Sequence, residues 1–197
     1  MKNIHSSKNI HLICHYLDMI VEHIVQIWNP ILSRKSTPVK DLTSAKINKI
    51  IKDLVDTMRA SNLIWIAAPQ IWINERIFVT ELRTTTFRKA KDDSALRVFI
   101  NPKILWKSKS AYTMYEWCGS VAYTKLFAPV RRPSKVIIEA YDEHGKKVMI
   151  KAEWLLGRVI QHEYDHLDGI SFTEKITDMR KIMSAEEYVK RIVQKKK

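Results

Sequence analysis

Two histidines four residues apart, in His162-Glu163-Tyr164-Asp165-His166, constrain this chain more than any other feature. Residues at i and i+4 of an α-helix share a face, so both imidazoles can reach one ion while Glu163 projects beside them. Apolar residues at helical spacing precede the motif and predict a helix over residues 153–166, ending near Asp168-Gly169. A helix of this kind needs a third ligand from elsewhere and an open position for water. Because the pattern also arises by chance, the identity of the third ligand matters.

Cys118 is the candidate third ligand. The chain has two distant cysteines, Cys14 and Cys118, which indicates a reducing compartment rather than a disulfide framework. Cys14 lies in an apolar stretch and reads as a small buried hydrophobe. Cys118 precedes a strand-rich region upstream of the helix, where it is either a buried structural residue or a thiolate ligand. A thiolate with two imidazoles suits a divalent ion such as Zn²⁺, Fe²⁺, Co²⁺ or Ni²⁺.

The bulk composition is that of one globular domain. The 197 residues carry a formal net charge of +13, which favours a polyanionic partner such as nucleic acid, a ribosome or an anionic membrane, or simply reflects solubility. No apolar run is long enough to span a membrane. Residues 1–26 predict a helical extension without a secretory cleavage site, which points to the cytoplasm, or to an organelle if the host is a eukaryote.

The remaining patterns predict an α+β fold, with short antiparallel sheets packed around the central helix that bears the motif. A helix over residues 43–59 has Thr43 or Ser44 as its N-cap, and Ser184 with Glu187 forms a capping box that opens a last helix. Asn101-Pro102 predicts a turn between two strands. The predicted strands cover residues 63–67, 76–80, 97–100, 103–106, 135–141 and 146–152, and the third and fourth flank this turn. The expected divisions are residues 1–26, 27–175 and a basic tail at 176–197.

Three blocks of the chain resemble the peptide deformylase family, in the family's order and at its spacing. They are Ile66-Ala67-Ala68-Pro69-Gln70, then Glu116-Trp117-Cys118-Gly119-Ser120, then residues 161–169 around the two histidines. The similarity extends from about Ile27 to Thr173. The three blocks together are far more specific than the histidine motif alone.

The resemblance implies a metal-dependent hydrolase that removes the N-formyl group from the N-terminal methionine of nascent polypeptides. Cys118, His162 and His166 would bind one divalent ion, Fe²⁺ in the family's native form. Glu163 would carry the proton from the attacking water to the leaving amine. The side-chain amide of Gln70 and the backbone N–H of Gly119 would stabilise the developing oxyanion.

The resemblance also implies supporting residues and partners. Arg132 would pair with Glu116 or Asp165 and thereby orient the metal ligands. The substrate is an N-formylated nascent peptide, and the basic C-terminal helix would dock at the ribosome. The protein is expected to be a monomer.

Four positions depart from the family pattern. Leu63 and Trp65 stand where the first block opens with glycines, and Trp117 and Gly119 stand where the second block has Gly and Leu. Glycine serves where backbone approaches a ligand closely. Indoles at positions 65 and 117 are therefore expected to narrow a substrate groove that Ile66 also lines.

Three other interpretations remain open. The departures would suit a catalytically weak or inactive deformylase-like binding protein, or a deformylase with altered substrate preference. A zincin-type metalloprotease would instead take its third ligand downstream of the helix, where Glu174 is the nearest acid after Asp168.

The other tryptophans are expected in the core, at Trp28, Trp72, Trp106 and Trp154.

Overall fold

The computed structural model describes residues 23–84 and 95–194. The strands are β1 (Trp65–Ala67), β2 (Ile77–Glu81), β3 (Leu96–Lys107), β4 (Ala111–Glu116), β5 (Leu126–Pro133), β6 (Lys135–Tyr141), β7 (Lys147–Glu153) and β8 (Met183–Ser184). The helices are α1 (Ala45–Ala60), α2 (Trp154–Leu167) and α3 (Ala185–Tyr188), which continues as a π-helical segment, Val189–Val193. The predicted N-terminal helix lies mostly outside the described residues, and residues 23–26 have no regular secondary structure.

Two antiparallel sheets surround α2, which confirms the predicted α+β class. One sheet has the order β1-β2-β3-β6-β7 and the other β4-β5-β8. Helix α2 contacts β1, β2, β6 and β7 of the first sheet and β5 of the second. The motif helix is therefore enclosed by protein, which places its functional face away from bulk solvent.

Helix α1 forms where the sequence predicts it. Ser44, one of the two expected N-caps, accepts a hydrogen bond from the Ile47 N–H. Its apolar face includes Ile50, Leu54 and Met58, each at most 4% exposed. This face packs on β1 and β2, two strands that also contact α2.

The predicted turn at Asn101-Pro102 is wrong, because β3 continues through it as an irregular strand. The register with β6 shifts between Ile100 and Lys103, as at a β-bulge. Asn101 takes a φ of +50°, a conformation that asparagine tolerates better than most residues. Its side-chain amide donates to Val39 O and accepts from Val39 N, both at 2.8 Å, which fixes the irregularity.

The expectation that four tryptophans lie in the core is also wrong. Trp28, Trp72, Trp106 and Trp154 are 94%, 57%, 50% and 72% exposed. The core is built instead from aliphatic residues and phenylalanines, such as Phe78 and Phe99, whose rings stack at 4.4 Å.

The C-terminal end of α2 is held by close backbone packing. Gly169, just after the helix, has a φ of +74°, and a Cβ there would lie 2.7 Å from the Ser33 backbone. Arg76 donates to Leu167 O at 3.1 Å and to Asp168 Oδ1 at 2.8 Å. These contacts fix the position of α2, and with it the position of the motif histidines.

We expect Gly169→Ala to lower the free energy of unfolding by about 3 kcal/mol or more, because strain in the backbone adds to a clash with the chain at Ser33. Gly145→Ala is the matched control. Gly145 also has positive φ (+70°), but its nearest neighbour is a side-chain methyl of Thr43 at 3.1 Å, so we expect a loss of about 1 kcal/mol. Urea denaturation of both variants measures the difference, and equal losses would contradict the close-packing account.

Candidate metal centre

The structure brings Cys118, His162 and His166 together. Cys118 follows β4, and the two histidines lie one turn apart on α2. The Cys118 Sγ is 3.1 Å from His166 Nε2, and the potential ligand atoms of the three residues all lie within 4.8 Å of one another. All three side chains are buried, with at most 3% exposed. This clustering confirms the predicted convergence of the three residues.

The orientation of the His162 ring suits the binding of a metal ion. His162 Nδ1 lies 3.1 Å from Glu116 Oε2, so His162 Nε2 is directed away from that carboxylate. Within the described part of the chain, His162 Nε2 is buried without a hydrogen-bond partner. A buried polar atom normally has a partner, and an imidazole that is oriented by a carboxylate is typical of a metal ligand.

The electrostatics of the cluster fit a cation equally well. Burial raises the pKa of the Cys118 thiol, and the nearby Glu163 carboxyl raises it further. Burial also lowers the pKa of His166 well below its usual value, which favours the neutral imidazole that metals bind. A divalent cation supplies the charge that would stabilise a buried thiolate here.

Glu163 is buried beside the cluster. It has no exposed surface, and among the described residues neither carboxyl oxygen has a hydrogen-bond partner. Its Oε1 lies 3.9 Å from His162 Nε2. Burial raises the pKa of Glu163 well above its ordinary value. A carboxyl group in this position is suited to accept and return a proton.

Glu116 is the hub of a buried ion network. Arg132 binds it through Nε at 2.7 Å and Nη2 at 2.9 Å, and Arg132 Nη1 reaches Asp165 Oδ2 at 2.7 Å. Both alternatives for the partner of Arg132 are thus found together. Although burial alone would raise the pKa of Glu116, hydrogen bonds from His162 and Arg132 hold it well below its usual range.

Arg158 completes this network and was not predicted. Its Nη1 contacts Glu116 Oε1 and donates to Val130 O at 3.1 Å, and its Nη2 donates to Tyr112 O at 2.9 Å. Arg158 is 4% exposed. A signal was available, because positions 158, 162 and 166 are four apart and therefore share the ligand face of the helix.

Gln70 approaches the cluster from the first motif. Its Oε1 accepts from Ala67 N at 2.8 Å, which leaves Nε2 directed at the second motif. There it donates to Ser120 Oγ at 3.1 Å and lies 3.6 Å from Cys118 Sγ. Ile66 lies in β1 with its side chain in the core, so only its backbone can face a groove.

The sizes of the side chains at Leu63 and Gly119 are exchanged relative to the family pattern. A Cβ on Gly119 would lie 3.1 Å from Leu63 Cδ1, so the leucine occupies the space beside the glycine. The family pattern places a glycine at position 63 and a leucine at 119. The two departures are therefore one compensated change in packing.

Trp65 and Trp117 fill the space beside His162. The Trp65 ring lies 5.0 Å from that of Trp117 and 5.8 Å from that of His162, and Trp117 stacks on Phe127 at 5.4 Å. The cavity that they line with Leu155 and neighbouring residues has a volume of only about 20 Å³. That is room for about one water molecule.

Glu174, the alternative third ligand, is engaged elsewhere. It is exposed, and its Oε1 accepts from Ser171 N at 2.7 Å in a capping box. The structure therefore gives no support to the zincin interpretation.

A Cys-His-His cluster with a buried glutamate beside it is typical of metal-dependent hydrolases. Residues 21–182 match the family model of polypeptide deformylases. The chain is 35% identical to the peptide deformylase of Pseudothermotoga lettingae, over 90% of this chain and 96% of the relative. It is 39% identical to peptide deformylase 1 of Clostridium perfringens, over 72% and 88%.

Solved structures agree with these relatives. The Met-Ala-Ser-bound class I type b peptide deformylase of Acinetobacter baumannii has a TM-score of 0.76 and 28% identity, covering 81% of this chain and all (100%) of that one. The actinonin complex of a Synechococcus elongatus peptide deformylase has a TM-score of 0.72 at 25% identity, covering 84% and 83%. The chain belongs to the peptide deformylase family. No helix among the described residues is long and apolar enough to cross a bilayer.

We expect Cys118→Ala to abolish stoichiometric metal binding, whereas Glu174→Ala should retain one ion per chain. The first variant removes a ligand from the buried cluster, and the second removes only an exposed cap. Metal analysis of protein purified anaerobically with Fe²⁺ or Ni²⁺ measures both. Metal retention by Cys118→Ala together with loss in Glu174→Ala would reverse the assignment.

Proposed function

We propose that this protein removes the N-formyl group from the N-terminal methionine of nascent polypeptides. The observation that carries this proposal is the convergence of Cys118 with both motif histidines beside the unpaired Glu163 carboxyl. Solved relatives hold the peptide Met-Ala-Ser or actinonin, which supports a peptide substrate. We further propose that the protein acts as a monomer in the cytoplasm, or in an organelle of a eukaryotic host.

We propose that Cys118, His162 and His166 hold one divalent ion, natively Fe²⁺, with Zn²⁺, Ni²⁺ or Co²⁺ as alternatives. When bound, such an ion polarises the formyl oxygen and lowers the pKa of water. Glu163 takes the proton as water attacks the formyl carbon. It then returns a proton to the amine nitrogen as the C–N bond breaks, which releases formate and a free N-terminus.

Gln70 and Gly119 are proposed to stabilise the oxyanion of the tetrahedral intermediate. The Ala67 N–H fixes the amide of Gln70 so that Nε2 is presented toward Cys118. The backbone N–H of Gly119 follows Cys118 directly. Donors that are fixed before the reaction stabilise developing charge without paying a reorganisation cost. In the described part of the chain, β1 pairs only with β2, so its other edge can bind an extended peptide backbone.

We expect Glu163→Gln to retain metal and fold but to lose about 10²–10⁴-fold in kcat, because no other side chain at the cluster can relay the proton. Deformylation of formyl-Met-Ala peptides by metal-loaded protein is the measurement. Arg180→Gln, at an exposed site after α2, is the control for handling and metal loading. Near-normal turnover by Glu163→Gln would show that its role is misassigned.

A catalytically weak binding protein is the second candidate, and the indoles beside His162 favour it. The cavity of about 20 Å³ between Trp65 and Trp117 cannot hold a methionine side chain. The same indoles would suit a deformylase that prefers a smaller or differently placed substrate.

We expect Trp65→Gly, alone or with Trp117→Gly, to raise kcat/KM on formyl-Met peptides, because either change opens space beside His162. Trp106→Gly removes a half-exposed indole from β3 and is the matched control, with no expected gain. Steady-state kinetics on the three folded variants decide the point. An unchanged kcat/KM in the double variant would mean that the indoles do not obstruct the substrate.

The basic C-terminal segment is proposed to dock at the ribosome. Ser184 is the N-cap of the last helix, and its side chain accepts from Glu187 N, which is one half of the predicted capping box. The Glu187 carboxylate pairs with Arg191 Nε. Tyr188 stacks on Phe127 at 4.2 Å, so the helix is anchored to the domain. Lys190 on this helix precedes the terminal lysines 195–197, and clustered lysines bind rRNA phosphates by releasing counterions.

We expect replacement of lysines 195–197 by glutamine to weaken ribosome co-sedimentation and to flatten its salt dependence, with activity on short peptides unchanged. Truncation after Ile182 is unsuitable, because it would also remove β8 and Tyr188. The control replaces the exposed Lys103, Lys107 and Lys109 by glutamine, which removes the same number of positive charges. If the two triple variants sediment alike, the tail is not the anchor.

A further inference from the structure

Three tryptophans adopt a backbone conformation that favours glycine. The φ angles of Trp28, Trp72 and Trp154 are +76°, +66° and +53°, in the region of Gly145 (+70°) and Gly169 (+74°). Residues other than glycine occupy this region in only a few per cent of cases, and bulky residues are outliers there. Half of the six tryptophans in the chain lie in it.

The local structure at each position requires this conformation. Trp72 ends the 3₁₀ helix Ala68–Ile71 in the left-handed region, with its N–H directed at Ala68 O and Pro69 O. Glycine is the usual residue at such a helix end. Trp28 is the third residue of a turn closed by a 3.2 Å bond from Asn29 N to Gln26 O. Positive φ at that place in a turn again calls for glycine.

Burial of the indoles does not offset the strain. Trp28 and Trp154 are 94% and 72% exposed, and Trp72 is 57% exposed. Trp154 opens α2 directly after β7, where the chain must turn sharply into the motif helix. A large apolar side chain gains little at these places, whereas a residue without Cβ would relieve the backbone.

Two further tryptophans stand at functional glycine positions. Trp65 and Trp117 occupy places where the matching family blocks have glycine, and they close the space beside His162. The chain has only four glycines against six tryptophans. Average usage of about 7% glycine would give roughly 14 in a chain of this length. Five tryptophans thus occupy sites that are suited to glycine, and glycine is the residue in which the chain is poor.

We propose that the native protein carries glycine at Trp28, Trp65, Trp72, Trp117 and Trp154, because its cell decodes as glycine a codon that another genetic code reads as tryptophan. UGA is such a codon. A single reassigned codon accounts for one exchange at five separated sites, which independent substitutions would not. The proposal rests on the proposed function only at Trp65 and Trp117, where glycine would open the groove. Trp106 has no positive φ and lies outside the three family blocks, so it is not included.

Peptide mass spectrometry of the protein from its source cells tests the proposal directly, with sequencing of the gene. Glycine at all five positions, encoded by UGA, is the expected result. Tryptophan at any of the five, or the codon UGG there, would overturn it. This outcome does not depend on whether the protein deformylates peptides.

Unfolding of the tryptophan-bearing recombinant chain gives an independent test. Trp28→Gly, Trp72→Gly and Trp154→Gly should each raise the ratio of folded to unfolded protein roughly five-fold, since each relieves left-handed strain. Trp106→Gly, which places glycine in the regular strand β3, should lower that ratio. If all four variants lower the ratio, the three positions are not glycine positions and the proposal fails.

Discussion

The buried carboxylate of Glu116 is the interaction on which the rest of the site depends. It joins the end of β4 to Arg132 on β5 and to Arg158 and His162 on α2. Removing one partner of a buried ion pair costs about 3–5 kcal/mol, since the remaining charge is left uncompensated. Cys118 lies two residues beyond Glu116. The same network that orients a histidine therefore also sets the distance between the thiol and the helix.

This arrangement explains why a polar site can lie inside the fold. The two guanidinium groups and the carboxylates of Glu116 and Asp165 neutralise one another, so the network adds little net charge to the interior. Glu163 and the Cys-His-His cluster lie beside it without such compensation. The protein thus separates a charge-balanced structural network from a set of atoms that is left to bind a ligand. The low local dielectric constant strengthens the ion pairs within the network and the attraction between the remaining atoms and a charged ligand.

The sequence was most informative where chemistry requires fixed spacing. Four-residue spacing placed His162 and His166 on one face, and the block around Cys118 supplied the third residue. Periodicity also gave α1 and its Ser44 cap. Patterns failed where tertiary contacts decide: the bulge at Asn101 depends on the distant Val39. Arg158 was missed because a single arginine on a helix usually points to solvent, although its spacing from His162 places it on the ligand face, and the position of Glu116 in space gives it a partner there.

The exchange between Leu63 and Gly119 restricts the order in which this site can have diverged. Suppose that the ancestral chain had glycine at position 63 and leucine at position 119. A change of residue 63 to leucine, made first, would overpack a buried space, because even a Cβ on residue 119 would lie 3.1 Å from the Leu63 side chain. A change of residue 119 from leucine to glycine, made first, would leave only a cavity, which a folded chain tolerates at a moderate cost in stability. The two positions are epistatic, and the path through the cavity is the accessible one. A homologue with glycine at both positions would be a surviving intermediate of that path.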